Sequence, residues 1–207
     1  KYVTVTLTKR SDGIINLKYP DGKEEVDSIL KIKNPIVRQA LLSHDFRGGL
    51  DLVSISDIPP GSGLGSSGAF AVGLLNALHQ LKGVKKSSQE LAEEACDLEI
   101  NQLKAPIGKQ DQYMAAFGGF LHLEFDKNND VKVNQIKIDV TTKKLLEEEL
   151  LLVYSGMTRS ANEVLGVTAK RLADTESIFP EITAFREYGN QMRDLIVAGK
   201  VNEFSER

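Results

Sequence analysis

Pro59 and Pro60 are followed by Gly61-Ser62-Gly63-Leu64-Gly65-Ser66-Ser67-Gly68, a run built almost wholly of glycine and serine. Glycine admits positive φ and lets the main chain come close to a ligand. An alternating, strand-like segment, Leu50–Ile58, leads into the run, and a helical spacing of Phe70, Leu74, Leu78 and Leu81 leaves it. The run therefore lies at a helix N-terminus, where the first N–H groups have no partner inside the helix and attract anions. That is the chemistry of a main-chain phosphate cradle. A flexible turn with a serine cap is the plain alternative, and it would need far fewer glycines.

Three phosphate-binding patterns can be laid on this loop. A G-x-x-x-x-G-K-[ST] loop requires lysine and a hydroxyl after its last glycine, whereas Gly68 is followed by Ala69 and Phe70. Gly63 to Gly68 does satisfy G-x-G-x-x-G, so a nicotinamide- or flavin-dependent oxidoreductase is the rival reading. That rival needs a second parallel strand ending in an acid about 20 residues on, and Ser87–Ile100 reads instead as another helix. The third pattern, P-x-G-x-G-L-G-S-S-G, offers main-chain N–H groups to phosphate oxygens and leaves Ser66 or Ser67 for a metal or a phosphate oxygen.

In this third pattern the chain resembles the GHMP kinases, named for galacto-, homoserine, mevalonate and phosphomevalonate kinase. The likeness continues at Gly108-Lys109-Gln110-Asp111-Gln112-Tyr113, at Ala115-Ala116-Phe117-Gly118-Gly119 and at Leu152-Val153-Tyr154-Ser155-Gly156-Met157-Thr158-Arg159-Ser160. It is similar to the branch of sugar-1-kinases that includes the D-glycero-D-manno-heptose 7-phosphate kinases. The resemblance implies an α+β, two-domain fold. An N-terminal α/β domain like domain 2 of ribosomal protein S5 would occupy 1–145, and 146–207 would begin a helical, ferredoxin-like α+β domain.

The resemblance also implies ATP and Mg2+ as cofactors, and phosphoryl transfer to the anomeric hydroxyl of a heptose 7-phosphate. Fucose, galactose and arabinose are the other sugars of the branch, and a nucleotide-sensing module without turnover is the non-enzymatic alternative. Pro60, Gly61, Ser62, Gly63, Leu64, Gly65, Ser66, Ser67 and Gly68 would hold the ATP phosphates. Asp111 aligns with the catalytic aspartate, and Glu99 with a magnesium-binding glutamate that Ser66 or Ser67 would join. A carboxylate is too weak a base to strip an alcohol beforehand, but it can orient the hydroxyl and take its proton late. Lys109, Gln112 and Arg159 are substrate candidates; for Lys109 and Arg159 a plain surface role is equally open, although a guanidinium can grip phosphate bidentately. The family's early aspartate-bearing segment and late glycine-rich loop have no counterpart in the sequence, so a fragment, inactive on its own, is expected.

The elements that must position these groups are legible in outline. Val3, Val5 and Leu7 alternate with threonines, and turn signals at Ser11-Asp12-Gly13 and Pro20-Asp21-Gly22-Lys23 suggest an opening meander. Asn34-Pro35 looks like an N-cap with proline at the first helical position, for a helix to about Leu42. Ser87 and Glu90 have capping-box spacing, and Gly83 is placed to end the helix before them. Leu121, Leu123 and Phe125, a polar turn at 126–130 and Val131–Ile138 read as a hairpin. Leu150–Tyr154 reads as a short strand, Ser160 with Glu163 as a second capping box, and Pro180 as the start of a helix that Gly199 ends.

With 207 residues, 41% of them apolar, the chain can bury a sizeable core. Its net charge of −3, with acids and bases interspersed, lacks the basic footprint of a nucleic-acid binder. No stretch is long and apolar enough for a membrane span. A single cysteine, Cys96, rules out an intrachain disulfide and suits a reducing cytoplasm. His44, His79 and His122 lack metal-site spacing and read as structural residues, and Glu147-Glu148-Glu149 reads as a solvated face. The partners expected are a nucleotide and a sugar or sugar phosphate; oligomeric state is not encoded in any visible pattern.

Overall fold

The computed structural model describes residues 2–153 and 175–205. These fall into two compact units, one reaching Phe117 and the other beginning at Gly118. The first carries the glycine loop and is described in more detail.

Its four-stranded sheet comprises β1 (Val3–Lys9), β2 (Ile15–Tyr19), β3 (Gly22–Val26) and β4 (Leu50–Ser56), in the order β1-β4-β2-β3. The opening strands are therefore not a meander. Only β2 and β3 form a hairpin, through Tyr19 opposite Gly22, while β4 inserts between β1 and β2. It runs antiparallel to β1, with Val5 opposite Ser54, and parallel to β2, with Leu17 opposite Leu52. A parallel neighbour requires a crossover connection, and the chain makes it through α1 (Pro35–Ser43). Strand β4 is thus central, and it delivers the loop from the middle of the sheet.

Alternation on β4 buries Leu50, Leu52 and Ser54. Against that face packs α2 (Ser66–Leu81), with Ala71, Leu74, Leu75 and Leu78 almost wholly excluded from solvent and Phe70 and Leu81 at the margin of the core. Gly73 lets α2 approach the sheet: a Cβ there would lie 3.2 Å from Val5 Cγ2. The Asn34 side chain accepts from the N–H groups of Ile36 and Val37, so the expected cap and the proline at the head of α1 are both present. The reciprocal Ser87–Glu90 capping box opens α3 (Ser88–Cys96).

From Asp97 the same helix widens into a π turn to Gln102, in which Leu103 N–H donates to the Leu98 carbonyl five residues back. Helix α4 (Gln110–Phe117) follows, packing against α2 and α3.

The second unit holds the expected hairpin, β5 (Phe120–Phe125) paired with β6 (Val131–Ile136), as a separate two-stranded sheet. It also holds α5 (Val140–Glu149), α6 (Thr175–Val197) and α7 (Val201–Ser205). Residues 150–153 form no strand, and Leu150 to Val153 are largely exposed. Apolar composition suggested a strand there, but among the described residues no sheet edge pairs with it. Helix α6 begins at Thr175, so Pro180 lies within it and does not start it. Gly199, at φ 70°, follows its end as expected. Tyr154, Arg159 and the Ser160–Glu163 box lie outside the described residues.

Candidate active site

Helix α2 starts without a side-chain cap. Its N-cap is Gly65, in the left-handed conformation at φ 67°, so the first N–H groups of the helix face outward with no side chain to satisfy them. Gly61 and Gly63 also have positive φ, at 74° and 78°, which curls the loop around the same point. The hydroxyls of Ser62 and Ser66 are buried and make no hydrogen bond among the described residues. An uncapped helix end and orphaned hydroxyls are features a bound anion would satisfy.

Two carboxylates stand beside this end. The π turn rotates Glu99 inward, leaving it only 3% exposed. Ser67 Oγ donates to Glu99 Oε1 at 2.6 Å, and Gln112 Nε2 donates to Oε2 at 2.7 Å. Both oxygens of a buried anion are thereby fixed, as burial demands. Asp111 approaches from the first turn of α4, and it is the loop glycines that make room for it. A Cβ at Gly65 would lie 2.9 Å from Asp111 Cγ, and one at Gly68 would lie 3.0 Å from Asp111 Cβ. Asp111 is therefore held against the loop, in the first turn of α4.

Between these groups opens a cleft of about 710 Å3, within the range of small-molecule sites. Gly61, Gly63, Gly65, Ser66, Ser67 and Gly68 line it together with Glu99, Asp111 and Gln112. Pro60 and Gly61 also face a smaller adjoining cavity of about 220 Å3. Ser62 and Leu64 line neither cavity, and Leu64 points to solvent. Lys109 is outside the cleft lining, its carbonyl accepting from Cys96 Sγ at 3.9 Å. Burial pushes the Cys96 thiol up to about 12, so it is no nucleophile near neutrality.

Gln112, a substrate candidate on sequence grounds, is wholly buried and spends its amide N–H on Glu99. It also lines the cleft, and its Oε1 has no hydrogen-bond partner among the described residues. The lining also includes residues that no motif marked: Pro35 and Ile36 at the head of α1, and Lys104, Ala105 and Ile107 between the π turn and α4. Pro106 within that segment and Gly108 at its end are helix breakers, the one sequence signal that a loop passes there. Nothing in the sequence singled out Lys104, whose left-handed φ of 56° is uncommon for a lysine.

The residues present suit a hard divalent cation, since a hydroxyl and a carboxylate are the oxygen donors such an ion takes alongside phosphate oxygens. Ser67 and Glu99 are already neighbours, and the orphaned Ser66 hydroxyl opens onto the same cleft. Fold and cradle together define a phosphate-binding α+β domain of the small-molecule kinase type.

The chain carries a GHMP kinase N-terminal domain: residues 30–119 match the GHMP kinases N terminal domain. Among curated relatives, the D-glycero-alpha-D-manno-heptose 7-phosphate kinase of Campylobacter jejuni is 32% identical over 194 residues, covering 86% of this chain and 56% of the relative. A mevalonate kinase of Pyrococcus horikoshii is 28% identical over 163 residues, covering 78% of this chain and 45% of that one. The chain thus spans about half the length of these relatives. A solved D-glycero-D-manno-heptose 1-phosphate kinase from Bacteroides thetaiotaomicron shares the fold, with a TM-score of 0.79 over 98% of this chain and 63% of the other, at 22% identity. The oxidoreductase reading is excluded on the same structural ground: α2 leads into α3, where a dinucleotide fold would return to a parallel strand.

Proposed function

We propose that the protein transfers the γ-phosphoryl group of ATP to a sugar hydroxyl, the anomeric hydroxyl of D-glycero-D-manno-heptose 7-phosphate. The observation that carries this reading is the seating of Asp111 against the glycine loop, where an added Cβ on Gly65 would reach its carboxyl carbon. A phosphate held by the loop and a hydroxyl held by Asp111 would then be neighbours. The choice of heptose rests on the relative from C. jejuni.

Phosphoryl transfer asks mainly for positioning and for neutralisation of charge. The α2 N-terminus and loop N–H groups supply fixed positive dipoles for the transferred phosphate. Asp111 orients the acceptor hydroxyl and accepts its proton as the O–P bond forms. Ser67 and Glu99, with Ser66 beside them, would hold Mg2+, which when bound screens the phosphate charge. Gln112 keeps the Glu99 carboxylate turned toward Ser67. Lys109 and Arg159 remain candidates for the sugar phosphate.

We assign 1–145 to the nucleotide-binding domain and 146–207 to the start of the C-terminal domain. No helix among the described residues is long and apolar enough to cross a membrane, and the lone buried thiol suits the reducing cytoplasm in which we place the protein.

The test is a panel of heptose 7-phosphate, fucose, galactose and arabinose, assayed with ATP and Mg2+ on the full-length protein. Turnover should be highest with the heptose and should fall about 10²–10⁴-fold in Asp111→Asn while nucleotide still binds. Turnover with another sugar would move the substrate within the family. Nucleotide binding with no sugar phosphorylated would make the protein a sensing module.

A further inference from the structure

At the other end of α2, three side chains from three helices point their polar atoms at one spot. His44 caps the C-terminus of α1, His79 lies in the last turn of α2, and Glu94 is on α3. His44 Nε2 is 3.2 Å from Glu94 Oε1, His79 Nε2 is 2.7 Å from Glu94 Oε2, and the two Nε2 atoms are 3.4 Å apart. His44 is 7% exposed, and Glu94 is the partner that opens to solvent.

With neutral rings and an ionised Glu94 carboxylate, the hydrogen bonds of this cluster are not all satisfied. His44 Nδ1 lies 2.9 Å from the Ala40 carbonyl, which can only accept, so Nδ1 carries the hydrogen. In a neutral imidazole Nε2 is then a lone pair, and it faces a carboxylate oxygen. A hydrogen on His79 Nε2 would be taken by Glu94 Oε2 and would leave the His44 lone pair opposed to Oε1. One positive centre among the three atoms resolves this.

We propose that His44, His79 and Glu94 form a site for Zn2+ or a similar divalent transition metal. Two imidazoles and one carboxylate are a known zinc donor set, with water in the fourth position. Tetrahedral zinc with bonds of about 2.0–2.1 Å holds its ligand atoms about 3.3 Å apart. With Glu94 Oε1 as the ligand oxygen, its 3.2 Å to His44 Nε2 and the 3.4 Å between the two Nε2 atoms lie near that figure, whereas the 2.7 Å contact of His79 is to the other carboxylate oxygen, Oε2. One ligand atom from each of the three residues falls within 4.8 Å of the others, so a small rotation of the carboxylate completes the set. The Ala40 carbonyl on Nδ1–H is the outer partner that orients a ligating histidine. Thirteen residues of α2 separate His79 from Ser66, about 20 Å along the axis, so this site is distinct from the phosphate cleft. Bound metal ties α1, α2 and α3 together at the end remote from the loop.

Metal-free protein is titrated with Zn2+ against a chromophoric chelator, and with Co2+ followed by visible absorption. Expected are one equivalent bound, a tetrahedral cobalt spectrum, a rise in the unfolding temperature with Zn2+, and no displacement of the bound Zn2+ or Co2+ by Mg2+. Glu94→Gln preserves shape and His79→Ala removes one ligand. Each should weaken Zn2+ binding by more than the roughly 10–100-fold that loss of an outer-shell partner costs, with the far-ultraviolet circular dichroism unchanged. Failure of the unaltered protein to bind one equivalent would overturn the proposal. So would folded variants that bind as tightly as the parent, and in either case the cluster is a hydrogen-bonded histidine pair held by Glu94.

Discussion

The tightest geometry in the cleft is between single atoms. Gly65 and Gly68 both abut Asp111, but they differ in what a methyl group would meet. At Gly65 the backbone is left-handed and the new Cβ would strike the carboxyl carbon at 2.9 Å. At Gly68 the backbone is helical, and the nearest atoms are Asp111 Cβ at 3.0 Å and the main-chain Asp111 C and Gln112 N at 3.2 Å, so the start of α4 would have to give by a few tenths of an ångström without backbone strain at the glycine itself. Gly65→Ala should therefore abolish most turnover and cost about 1–3 kcal/mol of stability, whereas Gly68→Ala should keep a measurable fraction of the activity. Equal rates in the two variants would contradict the seating of Asp111 described above. Ser67 offers a second contrast, because it supplies one of two hydrogen bonds to the buried Glu99. Ser67→Ala removes a bond to a charged group, worth about 1.5–3 kcal/mol, and should raise the Mg2+ concentration needed for half-maximal rate more than it raises the sugar KM. If both rise equally, Glu99 is not the cation's anchor. The cradle was legible in the sequence, because glycine and serine at those spacings have few other uses, and Asp111 through the resemblance that its motif carries. The bond from Gln112 to Glu99 was not legible, since whether an amide reaches a neighbouring carboxylate depends on which side of α4 is covered.

Helices were readable where their ends carry chemistry. Asn34-Pro35 and the Ser87–Glu90 box announce α1 and α3 within one residue, because each satisfies donors that would otherwise be stranded. Ser87→Ala should lower stability by about 1 kcal/mol, measured by denaturant unfolding. Glu90 is held down to about 2 by the Ser87 N–H, the Lys86 ammonium and the Ser87 hydroxyl. A carboxyl depressed in the folded state stabilises above the ordinary glutamate range and loses that contribution as the pH falls through its folded value. The stability gap between the parent and Glu90→Gln should thus be constant near neutrality and close between the ordinary glutamate range and about 2. A gap that widened on acidification would reverse the sign of this reading. Other features of the same elements were hidden. The helical period through Leu91, Ala95 and Leu98 gives no warning that the turn widens at Asp97, although it is that widening which turns Glu99 inward. The parallel pairing of β4 with β2 was likewise invisible, because alternation identifies a strand without naming its neighbour. His44, His79 and Glu94 share no sequence spacing at all; only the packing of three helices brings them together.

At the scale of the molecule, all of the described phosphate machinery lies within one compact unit. Gly61 to Gly68, Glu99, Asp111 and Gln112 belong to the unit that reaches Phe117, with its own sheet, helices and core. The chain meanwhile spans only about half the length of the curated kinases it resembles. Nucleotide binding and turnover should therefore separate. The 207-residue chain should bind MgATP by itself, because the cradle's N–H groups and both carboxylates are in place without further sequence. Ligand at 100 times its Kd adds about 2.7 kcal/mol of stability, which for a chain of this size corresponds to a rise in Tm of roughly 5–10 °C. If Asp111 addresses the acceptor hydroxyl as proposed, Asp111→Asn should keep most of that rise. If Ser67 addresses the nucleotide's cation as proposed, Ser67→Ala should lose much of it when Mg2+ is limiting. A chain that shows no shift with MgATP, while a longer protein containing it does, would mean that the nucleotide site is completed from outside these residues, and the cleft around Gly65 would then be only part of it.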